Sequence, residues 1–436
     1  MSTAAVETRW AWPAEHTDER GRRPLRPALD PFYRPPSGWE STEPGTTLRS
    51  RDVDPAFLGR IPLRAKAVQL LYTTLDMHGE RTTTATTVLI AEGAPDLPER
   101  PILSYQCAID ALSPEAFPSY AHRLGAPTTG EVVQLELLQI ACALAQGWVV
   151  SVPDHEGPHG NWGAPRESGH CALDGVRAAL RHHDFGLSEH SPVGMWGYSG
   201  GGWGTAWAAE MADYYAPELN TVGTVLGSPV GDPELVFRRA NGHLFAGLAG
   251  LVIASLVRIY PEMRELVDEH VDADGRALID DAVELQTGHA IANMAFTDFG
   301  RFMRVPVQAF LDDPRMQAIF ADIKPGLGTP AMPVLILQAV RDQIVPVAGI
   351  DRMAKGFADR GTTVMYVRDR LSEHFTLHIF SGPLVITWLT ERFAGVAVAG
   401  SSTTTVTTVL GSARRLRTGL GLLRVCGRVF LGRRLV

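Results

Sequence analysis

The sequence predicts an α/β fold, a mostly parallel sheet with helices on both faces and one inserted helical block, and three observations predict it. Short apolar runs alternate with stretches of helical spacing from residue 101 to 225, the alternation stops between residues 232 and 330, and it resumes from 333 to 393. Parallel neighbours need long crossovers, and crossover helices cover both sheet faces, so such strands read as continuous apolar runs.

The elements follow in order. Prolines at 13, 24, 27, 31, 35, 36 and 44 disfavour regular structure and suggest an arm laid over the surface or left mobile. The mixture of β-branched and polar residues over 65–91, including Thr82-Thr83-Thr84, predicts an antiparallel strand pair opening the sheet. Strands are expected at 101–105, 147–152, 193–197 and 220–225, with helices at 132–145, 171–183 and 201–214 between them. Helices without intervening strands at 235–239, 247–260, 263–270 and 288–294 form the insertion. Strands at 333–338 and 363–367 and helices at 350–359 and 375–393 complete the sheet. The expected organisation is an arm over 1–50, a core over 51–231 and 331–395, a cap over 232–330 and a basic tail over 396–436.

Hydrophobic residues make up 45% and charged residues 20% of 436, the composition of a folded globular chain long enough for a core plus a large insertion. A formal net charge of −8 provides no basic field for a polyanion, so no nucleic-acid partner is expected. The four cysteines, Cys107, Cys142, Cys171 and Cys426, form no CxxC pair and no His/Cys cluster, so neither a metal nor another cofactor is expected. Residues 1–36 lack the apolar core of a secretory signal, which predicts a cytoplasmic location, and no uninterrupted apolar run reaches the roughly 18 residues of a span. Residues 413–436 carry seven arginines among Leu, Val and Phe with no acid. Two readings stay open there, peripheral contact with an anionic membrane and a solvated tail, and four glycines weaken a helix.

The strongest motif is Gly197-Tyr198-Ser199-Gly200-Gly201, where an apolar strand ends and a helix starts. A nucleophile on a tight strand-to-helix turn needs neighbours with little side chain, and the helix that follows aims its N-terminal N–H groups at the same place. A serine hydroxyl needs a base to take its proton, and the base needs a carboxylate to fix its tautomer. In α/β-hydrolases the chain order is Ser, Asp or Glu, His. Asp342 follows the strand at 333–338 and His374 precedes the last helix, which makes them the candidate acid and base. Asp312, Asp313 and Asp322 lie in or beside the insertion, Asp369 reads as a solvated or arginine-paired loop residue, and His378 as a packing histidine.

Together these blocks resemble the secretory lipase family of α/β-hydrolases over residues 30–395. The resemblance rests on Gly197 to Gly201, Tyr214 to Asn220, Val340 to Pro346, Glu373-His374 with Trp388, Leu103 to Gln106 and Asp154 to Gly157. It implies Ser199 as nucleophile, Asp342 as acid, His374 as base, and an acylglycerol or other carboxylic ester as substrate. It also implies an oxyanion hole made by the Gly200 N–H and Asp110; the residues alone leave Asp110 equally a loop or N-cap aspartate. The family's usual secretion and disulfides are not carried over. The apolar text at 244–253 could line an acyl tunnel, act as a lid or simply pack the cap. A small-ester esterase, a peptidase and a non-catalytic binding protein of the same fold remain the alternatives.

Overall fold

The computed structural model describes residues 23–97, 99–127 and 132–436. Its main sheet contains β1 (Thr47–Val53), β2 (Ala65–Leu75), β3 (Arg81–Ala91), β4 (Ile102–Gln106), β5 (Val149–Pro153), β6 (Val193–Tyr198), β7 (Thr221–Gly227), β8 (Val334–Ala339), β9 (Val364–Asp369) and β10 (Ser402–Val406). The strand order is β1-β2-β3-β5-β4-β6-β7-β8-β9-β10. The pairs from β1 to β5 are antiparallel and those from β5 through β4 to β10 are parallel.

Both faces are covered, as continuous apolar strands require. On one face α2 (Glu167–Leu180) and α3 (Gly200–Tyr215) bury Leu173, Val176, Ala208 and Met211 with Met195 of β6. On the other, α1 (Val133–Leu144), α12 (His374–Phe393) and α13 (Ala413–Phe430) bury Ile140, Leu389 and Val425 with Trp196 and Leu337. Between β7 and β8 the chain leaves the sheet to form α4 (Pro233–Ala240), α5 (Ala246–Ile259), α6 (Pro261–His270), α7 (Ala273–Ala282), α8 (Thr287–Asn293), α9 (Val307–Leu311) and α10 (Pro314–Asp322). Helix α11 (Val347–Asp359) lies between β8 and β9, and its Ile350 and Met353 share a core with the cap residues Leu251, Leu266 and Phe310.

Both flanking segments are joined to the core. The segment before residue 50 is, over its described part, anchored to the core. Asp30 and Arg51 form a fully buried ion pair at 2.6 Å, Arg123 joins at 3.4 Å, and the Arg51 guanidinium lies 4.0 Å over the Phe32 ring. Such a cluster is tolerated only because each charge has partners. The chain after residue 395 is no free tail: β10 adds to the sheet edge beside β9, and α13 buries Leu422, Val425 and Val429. Helix α13 forms despite its glycines because Ser412 caps it by accepting from the Arg415 N–H at 3.2 Å, and because Leu422, Val425 and Val429 pack one of its faces on the core.

Candidate active site

Three loops at the carboxyl end of the parallel strands meet at one point. The turn after β6 sets Ser199 at φ 53°, ψ −121°, a conformation that L-residues avoid and that is held by the structure around it. That geometry forces α3 close to the sheet: a Cβ on Gly201 would collide with the Gln106 carbonyl of β4, so only glycine fits there. Gly200 is the first residue of α3, where backbone N–H groups have no intrahelical acceptor.

The turn after β8 builds the acid. Asp342 Oδ1 accepts from the Ile344 N–H at 2.9 Å and the Val345 N–H at 2.7 Å, while Oδ2 accepts from Gln338 Nε2 at 3.1 Å and from His374 Nδ1 at 2.8 Å. Four donors on a buried carboxylate fix its orientation. With Nδ1–H turned to Asp342, the Nε2 lone pair faces Ser199 Oγ at 3.0 Å. His374 opens α12, whose N-terminus is closed by a capping box between Glu373 and Thr376. Gln343 stitches the two loops together: its Oε1 accepts from the His374 N–H at 3.1 Å and its Nε2 donates to Glu373 at 2.6 Å. The Tyr198 hydroxyl donates to the His374 carbonyl at 2.5 Å. Ser199, Asp342 and His374 are thus brought into one hydrogen-bonded chain.

The loop after β4 brings Asp110 to the same place. A Cβ at Gly200 would collide with Asp110 Oδ1, so the glycine makes room for that carboxyl. Asp110 sits at φ 48°, its N–H donates to Glu156 Oε1 at 3.2 Å, and Oδ1 is buried without a partner among the described residues. Burial pushes the Asp110 carboxyl up to about 7, with the nearby His374 pulling weakly the other way. The loop is supported from below: Glu136 accepts from the Ala108 N–H at 2.7 Å and from the Tyr105 hydroxyl at 3.0 Å, and His155 donates to the Cys107 carbonyl at 2.7 Å. From above, Thr287 of the cap helix α8 donates to the Ile109 and Asp110 carbonyls at 2.9 and 3.0 Å. The sequence reading missed Glu136 and Gln343 as positioning groups; for Glu136 the available signal was the single charged residue of the helix over 133–144.

The competing residues fall elsewhere. Asp322 pairs with Arg166 at 2.9 Å and accepts from the Tyr260 hydroxyl, and Asp313 caps α10. Asp312 accepts from Gln308. Asp369, expected in solvent or paired with an arginine, is instead buried and accepts from the Leu371, Ser372 and Val409 N–H groups, tying α13's approach segment to the end of β9. His378 stacks on Tyr198 with centroids 4.3 Å apart, and burial holds it down to about 3, so it is a neutral packing group.

An apolar cavity runs from Ser199 and Asp110 into the cap. Leu248, Ala249, Val252 and Ile253 line it together with Met263 and Phe310, so the apolar run of α5 does face a space that opens on the nucleophile. A second, wider groove leaves Ser199 and His374 in the other direction, between α1, α12 and α13.

Residues 122–400 match the secretory lipase family. The chain is 49% identical over 393 residues to a Mycobacterium tuberculosis protein named as a probable inactive lipase, covering 90% of this chain and 88% of the other. It is 35% identical over 393 residues to Lipase A of Arthroderma benhamiae, covering 88% and 83%. The solved structure of Candida antarctica lipase A superposes with a TM-score of 0.82 at 26% identity, covering 92% of this chain and 94% of that one. The fold is that of the α/β-hydrolases. The matched family is one of secreted lipases, in contrast to the cytoplasmic location expected from residues 1–36, of which 1–22 lie outside the described residues.

Proposed function

Because the chain belongs to the secretory lipase family, we propose that it is an active serine hydrolase that cleaves carboxylic esters with long acyl chains through an acyl-enzyme on Ser199. The observation that carries this reading is the 3.0 Å contact between His374 Nε2 and Ser199 Oγ, with Asp342 behind the imidazole at 2.8 Å. His374 Nε2 takes the hydroxyl proton as Oγ bonds to the ester carbonyl carbon. The tetrahedral intermediate collapses, the C–O bond to the alcohol breaks, and Nε2–H returns the proton to the leaving alkoxide. Water then repeats the sequence on the acyl-enzyme and frees the acid.

The developing oxyanion needs donors, and the Gly200 N–H is one. Asp110 is the second in this reading, through its side chain: its own N–H is engaged by Glu156, whereas its carboxyl is unpartnered and raised to about 7. A carboxyl with a raised value is neutral, and a donor, below about pH 7; it becomes an anion and repels the oxyanion above it. Asp110→Ala is therefore expected to lower turnover about 100- to 1,000-fold. In Asp110→Asn the amide donates at every pH, so the fall in turnover above about pH 7 should disappear from its pH profile. Persistence of the wild-type alkaline fall in that variant would remove Asp110 from the donor role.

Long acyl chains are favoured by the apolar cavity under α5, which suits a hydrocarbon tail and offers it almost no polar group. The test is hydrolysis of a p-nitrophenyl ester series beside emulsified triglyceride. The expected result is specificity rising with acyl length and release of fatty acid from the emulsion. Hydrolysis confined to acetyl and butyryl esters contradicts the lipase reading and favours the small-ester esterase. The name of the M. tuberculosis relative favours a second reading, a fold retained for binding without catalysis. A rapid burst of p-nitrophenol equal to the chain concentration belongs to the acyl-enzyme route and is absent from a non-catalytic protein.

A further inference from the structure

We propose that the C-terminal helix α13, with the apolar rim of the groove beside it, seats this protein on an anionic phospholipid surface. Helix α13 has three faces. Leu422, Val425 and Val429 are buried against the core. Leu416, Leu420, Leu423 and Phe430 project on a second face and are 53%, 59%, 66% and 53% exposed. Arg417, Arg424 and Arg428 follow on the third, spaced so that they flank the apolar stripe. The exposed stripe continues onto α12, where Phe375 and Ile379 are 47% and 62% exposed.

Charge complementarity identifies the occupant. The whole chain has a formal net charge of −8, yet Ala413–Phe430 holds five arginines and no acid. Arg414 pairs with Glu391 at 3.0 Å and Arg428 donates to the Leu435 carbonyl at 2.6 Å, while Arg417 and Arg424 make no ion pair with any described residue. A stripe of Leu and Phe bordered by free arginines is the pattern of a helix lying in a bilayer interface, with its apolar face among acyl chains and its cations at lipid phosphates. The contact proposed here is peripheral, with α13 lying along the interface; no single helix among the described residues is long and apolar enough to cross a membrane. The groove gives the placement a purpose. It runs from Leu420, Leu423 and Phe430 to His374 and Ser199, so a surface-bound enzyme draws an acyl chain straight from the bilayer to the nucleophile. This last step rests on the ester-hydrolase reading; the binding does not.

The test uses the full chain carrying Ser199→Ala, so that no lipid is consumed. It is floated with vesicles of phosphatidylcholine alone and of phosphatidylcholine mixed with phosphatidylglycerol. The expected result is flotation with the mixed vesicles, weakened by salt, and little with phosphatidylcholine alone. Arg417→Gln with Arg424→Gln should lower partitioning about 30-fold, roughly 5-fold for each charge. Leu420→Ser with Leu423→Ser should lower it at least about 10-fold. All four side chains are exposed, so unchanged melting midpoints verify that the variants fold. No flotation on mixed vesicles overturns the proposal, as does flotation that both double variants leave intact. A lipid-free dimer that is split by the leucine variant and does not float also overturns it, since a second copy then covers the stripe. Turnover of a soluble short ester by the unmodified chain reads the catalytic account separately, so either claim can fail while the other stands.

Discussion

His374→Ala is expected to lower ester turnover about a million-fold while leaving the melting midpoint within a few degrees of the parent. The magnitude follows from what remains. Without a base at 3.0 Å, Ser199 must lose its proton to water, and only substrate binding and the oxyanion donors still accelerate the reaction, roughly 1,000- to 10,000-fold over the uncatalysed rate. The fold has little reason to suffer. His374 is the first residue of α12, whose capping box is made by Glu373 and Thr376, and the Tyr198 bond is to the His374 carbonyl, which alanine keeps. Because the serine and histidine act as one unit, Ser199→Ala and the double variant should lose about as much as the single one. Single-turnover rates with a soluble ester check this. A loss below about 100-fold in His374→Ala would mean that another group takes the proton.

Asp342→Asn is expected to cost about 10,000-fold in turnover with little change in substrate binding. The asparagine oxygen can keep the Ile344 and Val345 N–H bonds, so the turn survives. Its NH2 then meets two donors, Gln338 Nε2 and His374 Nδ1. The imidazole relieves the clash by carrying its proton on Nε2, and Nε2 then points a hydrogen at Ser199 and cannot accept one. Two readouts distinguish this from a merely structural fault: kcat falls while KM holds, and activity partly returns at high pH as hydroxide replaces the missing base. Equal losses in both parameters, or a lowered melting midpoint, would contradict the tautomer argument.

The parallel half of the sheet and the three hydrogen-bonded side chains were legible in the sequence because buried strands are apolar runs and because the strand-to-helix turn demands glycine around Ser199. Strand β1 was not, since Thr47–Val53 contains Arg49, Arg51 and Asp52 and is an edge strand stabilised by an ion pair with Asp30 that no local pattern announces. Strand β10 was hidden for a related reason: Ser402–Val406 is exposed at every residue but Val406, so no apolar run marks its pairing with β9. Helix α13 was obscured by glycines that a helix tolerates once Leu422, Val425 and Val429 pack it on the core. Asp369 looked like a solvated loop residue and is a buried acceptor of three N–H groups, which depends on a segment 40 residues downstream. Of the groups that hold the Asp110 loop, Glu156 lies in the block Asp154 to Gly157 with nothing local to assign it a partner, and Glu136 belongs to no motif; only the fold brings the two under the loop.

Reaction of the native chain with a fluorophosphonate tests the central claim most directly, because the probe bonds only to a hydroxyl whose proton is being withdrawn. The expected result is one adduct per chain, on the peptide containing Ser199, absent in Ser199→Ala and slowed by orders of magnitude in His374→Ala. A correctly folded chain that stays unmodified, or an adduct on some other residue, would contradict the account.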